Sequence, residues 1–268
     1  MICEGLRGWL SSAALELVSG LVVGKEAEGE LQLMYQVGEM LRQQGRLGEA
    51  EVVCRRCLAG KERVSGISHP HTLSVVSNLA VILENQGKLE QAEPMLRRVL
   101  EGFESMLGVD DSRTLSSVNN LGMLLQTQGK LEEAEPMLRR SHESCERVFG
   151  VDHPDTLISD INLGLLLQTQ GKLDEAETLL RRALDGCEGM LGVDHPHTLI
   201  SASNLGSLLR DQGRLEEAEM LLRRSLDGRE RVLGADHLHT IQSRGNLGLV
   251  LMKRGDESGA GVVRGVLS

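Results

Sequence analysis

Apolar side chains recur three or four residues apart from Thr114 to Gln128, the spacing of one face of an amphipathic helix. The residues on this face are Leu115, Val118, Leu121, Leu124 and Leu125. Gly129 follows, and glycine commonly ends a helix because it adopts positive φ without strain. A second amphipathic helix is predicted from about Leu131, so the pattern indicates a helix–turn–helix unit. We call the first helix A and the second helix B.

This unit recurs with a period of 42 residues along most of the chain. Strings related to NLGMLLQTQGKLEEAEPMLRR begin at Asn78, Asn120, Asn162 and Asn204, and a shorter match begins at Asn246. A fixed period of this size indicates a repeat architecture, in which neighbouring units bury one another's apolar stripes. We predict one domain over residues 30–268, with five full repeats at 30–71, 72–113, 114–155, 156–197 and 198–239 and a degenerate sixth from Thr240.

Small and charged residues within the unit have separate predicted roles. Gly122 on helix A and Ala134 on helix B leave room for the two backbones to approach closely. Pro154 suits the first turn of a helix, where its missing N–H would have no partner in any case. Glu135 and Arg139 stand four residues apart on helix B, which predicts an ion pair contributing about 0.2–0.5 kcal/mol to that helix.

The two ends of the chain depart from the repeat. Residues 1–29 lie outside it, and we expect a short helix there that covers the first repeat. Near the other end, Gly259, Gly261 and Gly265 fall inside the predicted last helix B, each at a cost of roughly 1 kcal/mol relative to alanine. We therefore expect a short or frayed last helix, and self-association or a partner at that end.

Composition limits the classes of partner. The formal net charge of −10 opposes binding to nucleic acid or to an anionic membrane, so a basic or neutral partner is expected. The apolar stretch WLSSAALELVSGLVV near the start is interrupted by Glu16 and is too short to span a bilayer, which argues against membrane insertion. Five cysteines without a secreted-scaffold spacing indicate reduced thiols and a cytoplasmic protein.

No arrangement of residues in the sequence argues for catalysis, a metal site or a cofactor. Cys54 and Cys57 have the spacing of a redox motif, but the register places them where another repeat has Leu96 and Val99, which predicts core residues. Histidines also recur before the A helices, one repeat or more apart, where packing at the helix start is expected rather than metal binding. These are His69, His153, His195 and His237.

The repeat resembles the tetratricopeptide family. The matching positions are Val118, Leu121, Gly122, Leu125, Ala134 and Leu138. The 42-residue length and the loop LGVDHPDT are similar to kinesin light chain type repeats. The resemblance implies an all-α fold, a right-handed superhelical solenoid of helix–turn–helix repeats, with the A helices lining a concave groove. It also implies a non-enzymatic scaffold or adaptor for protein or peptide ligands.

The resemblance directs attention to the asparagine that precedes the buried leucine of each helix A. An amide carries both a donor and an acceptor, so a row of asparagines can pair with the backbone of an extended peptide. The alternative is that each asparagine bonds its neighbouring helix and binds no ligand. The predicted groove residues are Asn78, Asn120, Asn162, Asn204 and Asn246, with Met123, Leu165, Gln126, Gln168 and Arg210 beside them.

Departures from the family leave other functions open. Tetratricopeptide domains that bind C-terminal carboxylates use Lys and Arg near this asparagine, and Ser, Ile, Asn and Gln stand there instead, so no carboxylate clamp is expected. Residues 1–29 are too short for the heptad segment by which kinesin light chains bind the motor heavy chain, so that partner is not expected. Two alternatives are a sensor or regulatory array derived from a larger signalling ATPase, and a thiol enzyme using Cys54 and Cys57.

Overall fold

A computed structural model describes residues 28–256 of the chain, and within that range every regular element is an α-helix. Six helices are A helices of 16 residues: α1 (Glu28–Gln43), α3 (Pro70–Asn85), α5 (Ser112–Thr127), α7 (Pro154–Thr169), α9 (Pro196–Asp211) and α11 (Leu238–Lys253). Five are B helices of 19 residues: α2 (Leu47–Ser65), α4 (Leu89–Leu107), α6 (Leu131–Phe149), α8 (Leu173–Leu191) and α10 (Leu215–Leu233). The predicted helix pairs are therefore confirmed, and both terminal predictions, for residues 1–29 and for the last helix, rest mainly on positions outside the described residues.

The A helices begin slightly earlier than the sequence pattern indicated. We expected a start at Thr114 and an end at Gln128, whereas α5 begins at Ser112 and ends at Thr127. The reason is the preceding residue, since the Asp111 side chain accepts a hydrogen bond from the backbone N–H of Arg113 and so caps the helix. Gly129 has φ of 77°, which confirms the expected left-handed turn.

The helices form two compact units, which divide after Lys130. The first unit contains α1 to α5 and the second contains α6 to α11. Within each unit every helix packs against the next along the chain, and A helices also contact the A helix of the following pair, as α1 contacts α3 and α9 contacts α11. The prediction of one continuous domain stays a prediction.

Close approach of helices A and B is visible at a glycine of α7 and of α9. A Cβ atom built on Gly164 of α7 would lie 2.9 Å from Leu180 Cγ, and one built on Gly206 of α9 would lie 2.8 Å from Leu222 Cγ. Both distances are shorter than a real methyl group tolerates, so glycine serves packing in these two helices, whereas α3 accommodates the buried Ala80 at the equivalent position. The small residues facing the two glycines, Ala176 and Ala218, are fully buried.

A glutamate near the start of each helix B joins consecutive helix pairs. Glu135 of α6 accepts from Arg139 one turn later at 2.9 Å, which confirms the expected pair. It also accepts from Lys172 Nζ at 2.7 Å and from Gln170 Nε2 at 2.8 Å, both in the turn after α7. The same inter-repeat pairing recurs, always within one unit, as Glu51–Lys88, Glu93–Lys130, Glu177–Arg214 and Glu219–Arg254.

This arrangement makes the glutamate a junction between repeats as well as part of a helix-surface pair. The hydrogen bonds from Lys172 and Gln170 are the chief reason that the pKa of Glu135 falls from 4.5 to about 2. Because the folded-state pKa is depressed, the carboxylate stabilises the fold at pH values above 4.5. That contribution is lost as the pH falls through about 2.

We predict that Glu135→Gln lowers the free energy of unfolding at pH 7 by about 1 kcal/mol, because the variant keeps the shape of the side chain but loses its charge. The difference from the parent protein should shrink below pH 4.5 and vanish near pH 2. Denaturant unfolding across this pH range measures both. Glu132→Gln, at an exposed position of the same helix, is the control and should change stability little; a difference that persists at pH 2 would contradict the junction role.

Candidate functional site

Each predicted groove asparagine is the ninth residue of its 16-residue helix A. Asn120, Asn204 and Asn246 are half-buried, and no hydrogen bond of their side-chain amides is found within residues 28–256. The residues three and six positions later lie about one and two turns further along the same helix. We call the side chains at the ninth, twelfth and fifteenth positions the asparagine face of an A helix.

The other two asparagines have neighbours in the chain. Asn162 is half-buried and engages a partner within the chain. Asn78 is only 8% exposed. The pKa of Glu39 on α1 is lowered, chiefly by its hydrogen bond with Arg42 and to a smaller extent by Asn78, which places that amide against α1. Asn78 therefore presents little of its amide to solvent, unlike the remaining members of the set.

The flanking positions of the asparagine face combine apolar and polar side chains. Met123 and Leu165, at the twelfth position, are half-buried and make this part of the face apolar. Gln126, at the fifteenth position, is also half-buried. That these side chains and the amides form one binding surface stays a prediction.

Two predicted groove residues take part in bridges between neighbouring A helices. Gln168 of α7 donates from Nε2 to Asp211 Oδ2 of α9 at 2.6 Å. The backbone carbonyl of Arg210 accepts from Lys253 Nζ of α11 at 2.9 Å, and its guanidinium is engaged by Asp211 and Ser207. Residues 43 apart thus join the ends of successive A helices, a structural role that the sequence pattern did not reveal.

The cysteines and histidines that could have indicated catalysis lie in structural positions. Cys54 and Cys57 are fully buried in α2, and burial is the main reason that the pKa of Cys54 rises to about 12. The predicted core role is confirmed, since a thiolate is disfavoured there.

The recurring loop histidines precede A helices as caps, and His153 Nδ1 accepts from the backbone N–H of Asp155 at 3.2 Å. Within residues 28–256 no group of three or more His, Cys, Asp or Glu side chains could hold a metal ion.

A buried ionic cluster in the second unit was missed from the sequence. The carboxylate of Asp160 on α7 is 0% exposed and accepts from Arg182 Nε at 2.7 Å. His142 Nδ1 lies 2.9 Å from Asp160 Oδ1, and Arg182 also donates to Glu146 Oε1 at 3.0 Å. The Asp160 carboxylate is the main reason that the pKa of Arg182 is raised. The cluster joins three consecutive helices, α6, α7 and α8.

The register contained a signal for this cluster. Four other B helices place leucine where α6 has His142, at Leu58, Leu100, Leu184 and Leu226. At the position of Asp160, the other repeats carry Met34, Val76, Val118, Ala202 and Arg244, of which only the last is polar. Two polar residues at neighbouring core positions of one region can compensate each other, because an unpaired buried charge is costly.

A family model described as tetratricopeptide repeat matches residues 30–105, 113–189, 157–231 and 197–260. A comparison with curated proteins yields no match. No helix within residues 28–256 is both long enough and apolar enough to cross a membrane.

Solved structures with the same fold include three informative neighbours. A putative kinesin light chain from Podosopora anserina with nearly identical TPR-like repeats is 22% identical, covers 78% of this chain and 99% of its own, and has a TM-score of 0.62. BtubC (BKLC) from P. vanneervenii is 19% identical, covers 86% and 92%, and has a TM-score of 0.66. A Rap protein complexed with Competence and Sporulation Factor is 12% identical, covers 94% and 78%, and has a TM-score of 0.67. At these identities the likeness concerns the fold.

We predict that Asp160→Val destabilises the protein by about 3 kcal/mol, because it leaves Arg182 and His142 without the carboxylate that they face. The double variant Asp160→Val/His142→Leu restores the residue types of the other repeats and should recover most of that loss. Denaturant unfolding measures both. The exposed Asp185→Val on α8 is the control, and a double variant no more stable than the single one would contradict the proposed compensation.

We also expect slow alkylation of Cys54 and Cys57 by iodoacetamide in the folded protein at pH 7, since both thiols are buried and the pKa of Cys54 is raised. Modification of each residue can be followed by mass spectrometry. The same protein in guanidinium chloride is the control and should react at the rate of ordinary thiols. Fast labelling of either cysteine before unfolding would revive the thiol-enzyme hypothesis.

Proposed function

The chain belongs to the tetratricopeptide repeat family, and we propose that it is a non-enzymatic scaffold that binds an extended peptide segment of a partner protein. The family is generally a non-catalytic fold for protein interaction, which supports the class of function. The proposed binding surface is the asparagine face of the A helices, considered separately in each unit. The role is that of an adaptor similar to kinesin light chains.

The main support for this proposal is that the amides of Asn120, Asn204 and Asn246 are available for hydrogen bonds. They are accessible in part, and no hydrogen bond within residues 28–256 engages them. A buried or half-buried amide without a partner is unfavourable, so a ligand that supplies one donor and one acceptor per amide would be bound favourably. The backbone of an extended peptide offers that pair at regular intervals.

The chemistry around the amides favours a peptide over other ligand classes. Met123 and Leu165 supply apolar contact area, and Arg210 is already engaged by Asp211. The net charge of −10 disfavours nucleic acid and favours a neutral or basic segment. The Rap structure with the Competence and Sporulation Factor shows that a protein of this fold was crystallised with such a factor, and the proposal extends ligand binding to this chain.

The buried cysteines support a cytoplasmic location. Cys54, Cys57, Cys145 and Cys187 are buried as reduced thiols, and burial raises the pKa of the last two as well. A protein whose core contains several reduced thiols suits a reducing compartment. We therefore propose that the peptide ligand belongs to a cytoplasmic partner.

We predict that replacing Asn120, Asn204 and Asn246 together by alanine weakens binding of a library-selected peptide at least tenfold. Each lost amide removes hydrogen bonds that contribute about 0.5–1.5 kcal/mol. Peptides would be selected on the parent protein from a random display library, and affinities measured by titration calorimetry.

Asn85→Ala is the matched control, because Asn85 is an exposed asparagine at the end of α3 outside the asparagine face. Circular dichroism should show the same helical content in all variants. Undiminished affinity of the triple variant, with the fold intact, would show that the peptide does not bind through these amides.

A further inference from the structure

One position near the end of the B helices holds four different residue types among the five repeats. Its occupants are Lys61, Phe103, Cys145, Cys187 and Arg229, successively 42 residues apart. Three of them follow a glycine that contacts the same leucine of helix A. A Cβ built on Gly102 would lie 2.5 Å from Leu73, one on Gly186 2.6 Å from Leu157, and one on Gly228 2.5 Å from Leu199. The local packing of Phe103, Cys187 and Arg229 is therefore directly comparable.

In two of these places a long side chain fills the space towards the following A helix. Phe103 is 4% exposed, and the Arg113 guanidinium lies 5.7 Å from the centre of its ring. Arg229 is 6% exposed and donates to the carbonyl of His239 at 2.9 Å. Arg113 and His239 occupy equivalent places in the register, and so does His197. In these two repeats, a long side chain from this position therefore reaches the start of the next A helix.

Cys187 is too short to do so, and a cavity of about 170 Å³ remains beside it. The cavity lies within the second unit, between α7, the end of α8 and the start of α9. Almost all of its wall is apolar, and His197 lies at its edge, where Arg113 contacts Phe103 in the first unit. Its lining residues are Pro154, Leu157, Ile158, Ile161, Cys187, Met190, Leu191, His195 and His197.

Apolar side chains also surround the entrance. Ile158, Met190 and Leu191 are 42%, 48% and 43% exposed, which is unusual for large apolar residues clustered at one place. The first unit is more polar here, since Ser74 stands at the position of Ile158 and Ser77 at that of Ile161. The second unit thus combines the short Cys187 side chain with an apolar entrance to the space beside it.

We propose that this cavity binds a phenylalanine side chain of the peptide ligand, whose ring takes the place that Phe103 fills in the first unit. Ile158 lies four residues before Asn162 on α7, so the cavity opens one turn from the asparagine face. The inference rests on the proposed function for the peptide nature of the ligand. It adds the residue that anchors the peptide in the second unit.

Charge at the entrance specifies the residues beside that phenylalanine. Asp152 and Asp155, on either side of His153 and Pro154, have exposed or half-exposed carboxylates. His153 Nδ1 lies 3.8 Å from Asp155 Oδ2, and no Lys or Arg within residues 28–256 is paired with either carboxylate. A lysine next to the phenylalanine would meet these charges. The ligand chemistry is therefore a phenylalanine flanked by basic residues.

The test uses the full chain and the tripeptide acetyl-Lys-Phe-Lys-amide as the probe. Titration should shift the methyl resonance of ¹³C-labelled Met190, whereas acetyl-Lys-Ala-Lys-amide should not. Cys187→Phe supplies the ring from within and should reduce probe affinity at least tenfold without lowering the melting temperature. Cys187→Ala keeps the cavity and should bind as the parent protein does.

Ile158→Ser provides an independent variant, because the exposed position carries serine in the equivalent helix of the first unit and the change is compatible with folding. Ile158→Ser should weaken probe binding severalfold. If Cys187→Phe does not fold, this variant alone tests whether the probe binds in the cavity. Equal shifts with the alanine probe, or full affinity in Ile158→Ser and in a folded Cys187→Phe, would overturn the proposal.

Separate experiments distinguish the proposed phenylalanine cavity from the proposed peptide binding along the asparagine face. Asn204→Ala/Asn246→Ala should leave tripeptide binding unchanged, because the probe is short and occupies the cavity alone. A library-selected peptide that depends on the asparagines but binds equally well to Cys187→Phe would overturn only the anchor. A tripeptide that binds in the cavity, while the asparagine variants leave longer peptides unaffected, would overturn only the proposed groove.

Discussion

A helix in this protein has two sides to bury, and its partner within the pair covers only one of them. Helix α9, for example, packs against α10 of its own pair and against α8 of the preceding one. Fully buried residues such as Leu205, Leu208 and Leu209 line these contacts. No single pair is therefore sufficient, and stability depends on the contact between consecutive pairs within a unit. The remaining features of the structure either shape that contact or lie outside it.

The polar residues of the repeat also serve the contact between consecutive helix pairs. Apolar stripes by themselves specify poorly how one pair is placed on the next, because the hydrophobic effect has no direction. The Glu135 junction supplies direction, since one carboxylate accepts from its own helix and from the turn after the next helix A. The second arginine of three RR strings adds a further link to the preceding helix B, in the pairs Arg98–Glu62, Arg182–Glu146 and Arg224–Glu188. The motif residues therefore form a framework that is common to all repeats.

Repeats differ from one another at the positions where they depart from that framework. Asp160 and His142 place an ionic cluster where most other repeats have apolar core residues, whereas Cys187 stands where three other repeats have a longer side chain and leaves space. The two departures occur in adjoining helices of the second unit and have opposite effects on packing. One fills the core with paired charges, and the other leaves an apolar cavity. The repeated residues explain the fold, and the exceptions make individual repeats different from one another.

Inspection of the sequence was enough to predict the helix pairs, their 42-residue period, the left-handed glycine after each helix A and the burial of Cys54 and Cys57. These are local or periodic properties, and spacing along the chain is sufficient to encode them. Other features are visible only in the folded chain. The tertiary structure showed that Glu135 reaches Lys172, that Gln168 bridges to Asp211, and that the space beside Cys187 is open. Such facts depend on which side chains 35 to 43 residues apart come into contact and on the volume left between them, and a linear pattern contains neither quantity.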